Sequence, residues 1–144
     1  MQHSMHFVDF RLIRVDFSIN REYNTHKKPL IKPELSINTE LRKKQKELIV
    51  TLAIRQVTGN LPFFFEVKGA GLFKFNKLPE GNLVKQFGSI NCPAILFPYL
   101  RETIADLTRR AGFHPLHLDP INFVELAKTR EEKKVISTRK SPKK

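Results

Sequence analysis

The sequence contains no tryptophan and only one cysteine, Cys92. A single cysteine excludes an intramolecular disulfide and cannot build a zinc site by itself, so a reducing, cytoplasmic compartment is expected. The first ten residues include two histidines and Asp9 and lack the apolar core of a secretory signal. The longest uncharged run, residues 86–100, is shorter than a bilayer span, and we therefore expect no membrane insertion.

Common signatures of enzymes are also missing from the sequence. It has no Gly-rich phosphate loop, no G-x-S-x-G elbow and no H-E-x-x-H motif. A proline separates His114 from His117, and only Asp119 lies close to them in sequence, so no metal site is predicted. Cys92 stands at an apolar helix start with no nearby base and is interpreted as a buried small residue. The sequence thus predicts no catalytic residues, no cofactor and no enzymatic activity.

Acidic residues are few, with 14 Asp and Glu against 26 Lys and Arg, which gives a net charge of +12. From residue 128 to the end, eight basic residues accompany two acidic ones. Such blocks of like charge usually stay solvated, so residues 128–144 are predicted to form a basic, disordered tail. The alternative is a surface for an acidic partner or nucleic acid. A nucleic-acid-binding module is disfavoured, because no ladder of aromatic and basic residues accompanies the charge.

Phenylalanine is abundant, with twelve residues, and apolar residues make up 40% of the chain. Near the N-terminus apolar side chains alternate from Val8 to Leu12 and then change parity at Ile13. Because successive side chains of a strand point to opposite faces, one inserted residue explains the change. The pattern predicts one long strand with a bulge near residues 12 and 13.

Three more strands are predicted between residues 34 and 75. The alternation after Pro33 predicts a short strand, and the aliphatic run 48–57 predicts another. The Gly59-Asn60 pair favours a hairpin into residues 61–75. Gly69 and Gly71 interrupt this last strand and indicate a bulge or a close backbone contact. We expect a meander-like antiparallel sheet.

Two helices are predicted in the last third of the chain. The long helix is expected to follow Asn91 or Cys92, with prolines in its early turns or at a kink, and to end near Gly112. Its apolar stripe comprises Leu96, Leu100, Ile104 and Leu107. Asp119 and Pro120 are predicted to cap and open a short helix. Four strands followed by a long and a short helix give an α+β fold.

The segment NCPAILFPYLRE at residues 91–102, followed by LDPINF at residues 118–123, resembles the signature of the SecB family of export chaperones. The strand segments before it also follow the SecB order, so the resemblance covers most of the chain. It implies a four-stranded antiparallel sheet with a long and a short helix in residues 1–127, and dimers that pair into a dimer of dimers. The implied function is a cytoplasmic, ATP-independent holdase that binds unfolded preproteins and delivers them to the SecA motor.

The resemblance also implies which residues do the binding. A client groove framed by the sheet, the crossover after the first strand and the last helix would involve Leu35, Ile37, Phe73, Leu116, Phe123 and Leu126. Subunit contacts would involve Phe63, Phe65 and Val67, on a strand face that a single sheet is expected to leave partly uncovered. SecA docking would involve Asp16, Phe64 and Glu66. For every apolar position the alternative interpretation is ordinary core packing.

The chain departs from the family pattern in its charge. Family members are typically acidic, whereas this chain is basic, and Asn20 stands where an acidic residue often contributes to the SecA patch. Ala127 replaces a second aromatic residue in the last helix. Fewer negative charges weaken electrostatic steering toward the motor, so we expect this chain to bind SecA weakly. The alternative role within the family is a chaperone dedicated to an antitoxin of a toxin-antitoxin system.

Overall fold

Alternating apolar and polar residues form four antiparallel strands. The computed structural model describes residues 4–130. In it β1 spans Met5–Ile19, β2 spans Glu34–Arg42, β3 spans Glu47–Gln56 and β4 spans Phe63–Phe75. The strand order is β1-β4-β3-β2. The sheet is therefore a meander only over its last three strands, because the chain crosses over after β1 and this strand pairs with β4.

β1 contains two bulges along its pairing with β4. The register shifts between Phe7 and Asp9 and again between Leu12 and Arg14, which leaves Val8 and Ile13 without partners in β4. The second bulge is the one that the change of parity predicts, and the first lies outside the prediction. Each inserted residue is apolar and turned toward solvent, with Val8 54% and Ile13 55% exposed.

One continuous helical segment follows the sheet. It consists of α1 at Gly81–Gln86, a π turn at Phe87–Asn91 and α2 at Cys92–Arg110. α2 begins at Cys92, one of the predicted starts, but the helical segment as a whole begins earlier, at Gly81, which the sequence pattern did not predict. The wider π turn ends two residues before Pro93, whose ring would otherwise crowd the carbonyl one turn earlier. Pro93, a residue typical of a helix start, therefore lies where the segment changes from a π turn to an α-helix.

α2 ends at Arg110, and Gly112 just after it is the terminating glycine that the sequence predicts. Gly112 has φ +95°, its N–H donates to the Arg109 carbonyl at 3.0 Å, and the Phe113 N–H donates to the Thr108 carbonyl at 3.0 Å. These two bonds satisfy carbonyl groups that the helix end would otherwise leave without partners. Glycine reaches this left-handed conformation without steric strain.

A short helix, α3, follows at residues 123–130. Its N-cap is Asn122, whose Oδ1 accepts a hydrogen bond from the Glu125 N–H at 3.1 Å, so the prediction of Asp119 as the cap is wrong. Residues 128–130 are helical, so the predicted domain boundary at residue 127 falls inside α3. The rest of the predicted tail lies outside the described residues.

The core lies between α2 and the central strands. Leu96, Leu100 and Ile104 of the predicted stripe are fully buried there. A Cβ on Gly71 would lie 2.6 Å from Leu96 Cδ2, and one on Gly69 would lie 2.7 Å from the Phe10 ring. β4 continues without interruption through both glycines. The two glycines therefore permit close packing against the strand, which is the second of the two predicted alternatives.

Candidate functional site

A groove of about 760 Å³ lies between β2, the start of the helical segment and α3. β2 is an edge strand of the sheet, so the groove opens at the side of the molecule. Its apolar surface comes from Ile37 on β2, Ile90 in the π turn, and Leu126 and Ala127 on α3. Polar and charged groups complete the lining, namely Thr39, Asn82, Lys85, Gln86, Ser89 and Arg130, with Gly88.

Local sequence explains how β2 and the π turn meet at this groove. Leu35 and Ile37 are half-buried, while Ser36 between them is exposed, as the alternation of a strand with one covered face requires. The π turn approaches β2 closely at Gly88, where a Cβ would lie 2.8 Å from Thr39 Cγ2. The absence of a side chain at Gly88 therefore allows the helical segment to close one side of the groove.

Two contacts position α3 on the other side. The Phe123 ring packs edge-on against Phe97 of α2 with ring centroids 6.0 Å apart. At the far end of α3, Arg130 Nη2 donates a hydrogen bond to the Leu35 carbonyl at 2.7 Å. One anchor is thus apolar and joins α3 to the core, and the other is polar and joins α3 to the edge strand.

Of the six residues predicted to bind clients, four have half-buried side chains and two are fully buried. Ile37 and Leu126 line one groove, and half-buried Leu35 lies on the same face of β2. Leu116 is half-buried in the linker after α2, where its N–H donates to Thr108 Oγ1 at 2.9 Å. Phe73 and Phe123 are only 0% and 4% exposed, so ordinary core packing, the alternative interpretation, applies to these two.

Sequence reasoning predicted only Ile37 and Leu126 among the eleven residues that line the groove, and Ile90 and Arg130 are two that it missed. Ile90 lies in the π turn, in a segment for which the sequence pattern predicted no helix or strand. Arg130 was assigned to the basic tail, although it is the last described residue of α3 and reaches across to β2. Ile90 lies four positions before Ala94, and this helical spacing could have indicated that the helix starts earlier. No local signal identifies the contact between Arg130 and Leu35.

The three residues predicted to form subunit contacts are buried within one chain. Phe63, Phe65 and Val67 are 5%, 1% and 0% exposed. The Phe63 ring packs against Phe17 and Phe113 at centroid distances of 5.4 and 5.1 Å. The prediction of an uncovered interface on this strand face is wrong, because α2 and the linker after it cover these side chains.

Exposed apolar residues are concentrated instead on β1. Val8, Leu12, Ile13, Val15 and Ile19 are between 40% and 55% exposed. β1 stands at the end of the strand order, and within residues 4–130 no strand pairs with its outer edge. A long edge strand with apolar side chains is a ready template for pairing with another chain.

The three residues predicted to dock SecA lie together on the opposite face of the sheet. Asp16 and Glu66 are register partners, and both line a shallow hollow of about 380 Å³ with Phe64. Each carboxylate has a basic neighbour: Arg14 Nε lies 2.5 Å from Asp16, and Arg55 Nε lies 3.9 Å from Glu66. The three residues therefore lie in one patch of the sheet, and the two arginines offset its negative charge.

Groups capable of other chemistry are few in the described part of the chain. Burial raises the pKa of the Cys92 thiol to about 12, which keeps this side chain neutral at physiological pH. His114 and His117 are exposed. Within residues 4–130 no group of three His, Cys, Asp or Glu side chains could hold a metal ion. No helix in that range combines the length and apolarity needed to cross a bilayer.

The fold and the groove define an α+β protein that offers a partly apolar binding surface beside an edge strand. The family described as preprotein translocase subunit SecB matches residues 14–134. This chain belongs to the SecB family. The resemblance seen in the sequence and the predicted class of fold are both confirmed.

Curated relatives agree with this assignment. The chain is 42% identical over 81 residues to protein-export protein SecB of Acidithiobacillus ferrooxidans, an alignment that covers 56% of this chain and 54% of that protein. It is 39% identical over 104 residues to protein-export protein SecB of Paraburkholderia xenovorans, covering 71% of this chain and 66% of the relative. The chain thus spans between about half and two thirds of the length of these relatives.

Two solved structures share the fold. A SecB-like chaperone of Mycobacterium tuberculosis, in complex with a ChAD peptide from the HigA1 antitoxin, has a TM-score of 0.68 and 19% identity, covering 81% of this chain and 90% of that one. A protein of unknown function from Streptococcus agalactiae has a TM-score of 0.58 and 10% identity, covering 83% and 99%. At these identities the likeness concerns the fold.

Proposed function

We propose that this protein is a cytoplasmic, ATP-independent holdase that binds non-native polypeptides during protein export and catalyses no reaction. The observation that carries the proposal is the open groove in which Ile37, Ile90 and Leu126 present apolar surface, in a chain that belongs to the SecB family. An unfolded preprotein exposes the apolar side chains that such a groove can cover. Binding removes these side chains from water and from one another, which prevents aggregation.

The size of the apolar surface predicts weak binding at a single groove. Each apolar side chain that becomes buried contributes roughly 1.5 to 3 kcal/mol, and ordering of the client offsets part of that gain. Several grooves on one assembly would bind successive segments of the same client. Linked weak contacts then hold a long polypeptide more tightly than any one groove can.

The proposal therefore includes a homo-oligomer, with a dimer of dimers as the arrangement that the family resemblance implies. The supporting feature is the outer edge of β1, which is long and carries five exposed apolar residues. Pairing of this edge with a second copy would extend the sheet and cover Ile13 and Val15. We propose the edge of β1 as the subunit interface, in place of the face that carries Phe65.

SecA is the proposed recipient of the client, and Asp16, Phe64 and Glu66 are its proposed docking residues. Their proximity on one open face supports the assignment. Arg14 and Arg55 reduce the attraction that this face offers to a basic partner. We therefore expect the SecA interaction to be weak and sensitive to Glu66.

A second candidate function is the chaperoning of an antitoxin. The solved SecB-like chaperone of Mycobacterium tuberculosis supports it, because that protein is in complex with an antitoxin peptide. The two functions share the groove and differ in the client. Capture of partners from the native host, with identification of the bound proteins, separates them: many preproteins favour export, whereas one antitoxin favours the dedicated role.

The holdase function is tested by the aggregation of a slowly refolding protein diluted from denaturant. We expect light scattering to fall with increasing amounts of this protein and to be the same with and without ATP. Unchanged scattering at a several-fold excess contradicts the proposal. Binding to DNA or RNA that weakens steeply with salt, in the absence of any holdase activity, would favour the nucleic-acid-binding alternative.

A further inference from the structure

The charged residues of the groove all have the same sign. Of the eleven residues that line it, Lys85 and Arg130 are the charged ones, and no lining residue in the described part of the chain is acidic. The other polar members are Thr39, Asn82, Gln86 and Ser89, which are neutral. The groove therefore combines apolar surface with two positive charges.

Lys85 is available to a bound polypeptide. It is the basic residue in the last turn of α1, and its side chain is exposed. None of the ion pairs within residues 4–130 includes Lys85. An ammonium group at the rim of an apolar groove attracts a carboxylate more strongly than the same group surrounded by water, because the neighbouring protein lowers the local dielectric constant.

Arg130 presents its charge in a fixed position. The 2.7 Å bond from Nη2 to the Leu35 carbonyl holds the guanidinium against the edge of β2, and the side chain is half-buried. A guanidinium has five N–H donors, and this bond uses one of them. A planar, positioned guanidinium is well suited to a carboxylate, which can accept two parallel hydrogen bonds.

Lys85 and Arg130 come from α1 and α3, two different elements that border the same groove. A client segment that places an apolar side chain against Ile37 and Leu126 would bring its neighbouring residues close to these charges. Acidic neighbours would be attracted and basic ones repelled. We propose that the groove selects segments in which apolar residues are flanked by Asp or Glu, a preference that rests on the proposed holdase function and specifies its clients.

The test uses two labelled peptides of equal length and identical apolar residues, one with glutamate and one with lysine at the flanking positions. Fluorescence anisotropy at physiological salt measures the affinity of each for the full chain. We expect the glutamate peptide to bind roughly threefold to tenfold more tightly, as two partly exposed ion pairs allow. Lys85→Glu should abolish or reverse this ratio.

The matched control is Lys44→Glu, which makes the same change in net charge at an exposed lysine in the turn between β2 and β3, outside the groove lining. We expect it to leave the ratio of affinities nearly unchanged. Equal binding of the two peptides, tighter binding of the lysine peptide, or an equal effect of both variants overturns the inference. If neither peptide binds while aggregation suppression persists, the groove is not the client site and the inference also fails. If the protein neither binds the peptides nor suppresses aggregation, the holdase proposal itself is contradicted.

Discussion

β1 and β4 are neighbours in one sheet, yet several apolar residues of β1 are exposed to solvent, whereas most of those of β4 are buried. Phe65, Val67 and Phe73 of β4 are buried under the helical segment of their own chain. Leu12, Ile13 and Ile19 of β1 stay exposed, although the sequence of β1 is just as apolar. The difference shows that apolar alternation identifies a face of a strand but not the chain that covers it. The buried residues of β4 stabilise the protomer, whereas the exposed residues of β1 remain available to another chain.

The largest expected effect follows from the covered side of this comparison. Phe65→Ala should lower the free energy of unfolding by about 3 to 5 kcal/mol, because it removes a fully buried ring and leaves a cavity. Urea denaturation at a fixed protein concentration measures the loss. Phe64→Ala, on the half-buried opposite face, is the control and should cost less. A well-folded Phe65→Ala protein of reduced oligomer size would contradict this account and restore Phe65 as an interface residue.

The uncovered side of the comparison is tested at the two bulges. Val8→Lys combined with Ile13→Lys changes two exposed residues that have no partner in β4, so the protomer should stay folded. If β1 pairs with a second copy, light scattering after size-exclusion chromatography should show a smaller assembly, because buried unpaired lysines are costly. Leu30→Lys with Ile31→Lys makes the same change at two exposed crossover residues and should leave the assembly intact. An unchanged assembly in the β1 variant would reject this edge as the interface.

A smaller effect is expected at the half-buried surface of the groove. Ile37→Asp should weaken client binding by roughly tenfold or more, because a charge opposes burial of an apolar client segment. Ser36→Asp, on the exposed side of β2, places the same charge one residue away and should bind clients normally. Anisotropy with a labelled unfolded client gives both affinities. Unfolding of the Ile37→Asp protein, seen by circular dichroism, would assign Ile37 to the core instead.

The charged face of the sheet should respond more weakly still. Glu66→Arg should reduce SecA binding a few-fold, because the existing pair with Arg55 already offsets much of the attraction. Titration calorimetry with purified SecA measures the change, and Glu40→Arg on the edge strand serves as the control. Tight SecA binding that ignores Glu66→Arg would remove this face from the proposed interaction.

The smallest effect is expected from removal of residues 131–144. Truncation after Arg130 keeps the bond to Leu35 and removes most of the predicted basic tail. If this segment is only solvated charge, holdase activity and oligomer size should not change. A loss of partner binding that high salt reproduces in the full chain would show that the tail is an electrostatic anchor.

Sequence reasoning predicted the elements of the fold well because their signals are local. The parity change at Ile13 identified a bulge, and Gly112 identified the end of α2, since both depend on nearby backbone geometry. The start of α2 was predicted correctly, but the helical turns before it were missed, because Pro93 is typical of a free helix N-terminus. A π turn, which no residue pattern announces, lets the helix pass through that position.

The candidate site could be predicted only in part, because it depends on contacts between distant segments. Periodicity placed Ile37 and Leu126 on covered faces, and the family resemblance suggested that they belong together. Neither source distinguished these groove residues from Phe73 and Phe123, which have the same apolar character and lie in the core. Arg130 joins the groove through a bond to Leu35, which lies 95 positions earlier in the sequence, and the residues beside Arg130 do not predict this contact.

The crossover after β1 has a consequence for how the chain folds during its synthesis. β1 is made first, but its partners in β4 range from Phe63, opposite Ile19, to Phe75, opposite Met5. At typical translation rates this strand therefore waits on the order of seconds before its neighbour emerges from the ribosome. β2, β3 and β4 form consecutive hairpins and can assemble without it. The N-terminal strand is expected to join the sheet last, and closing that long loop should limit the folding rate.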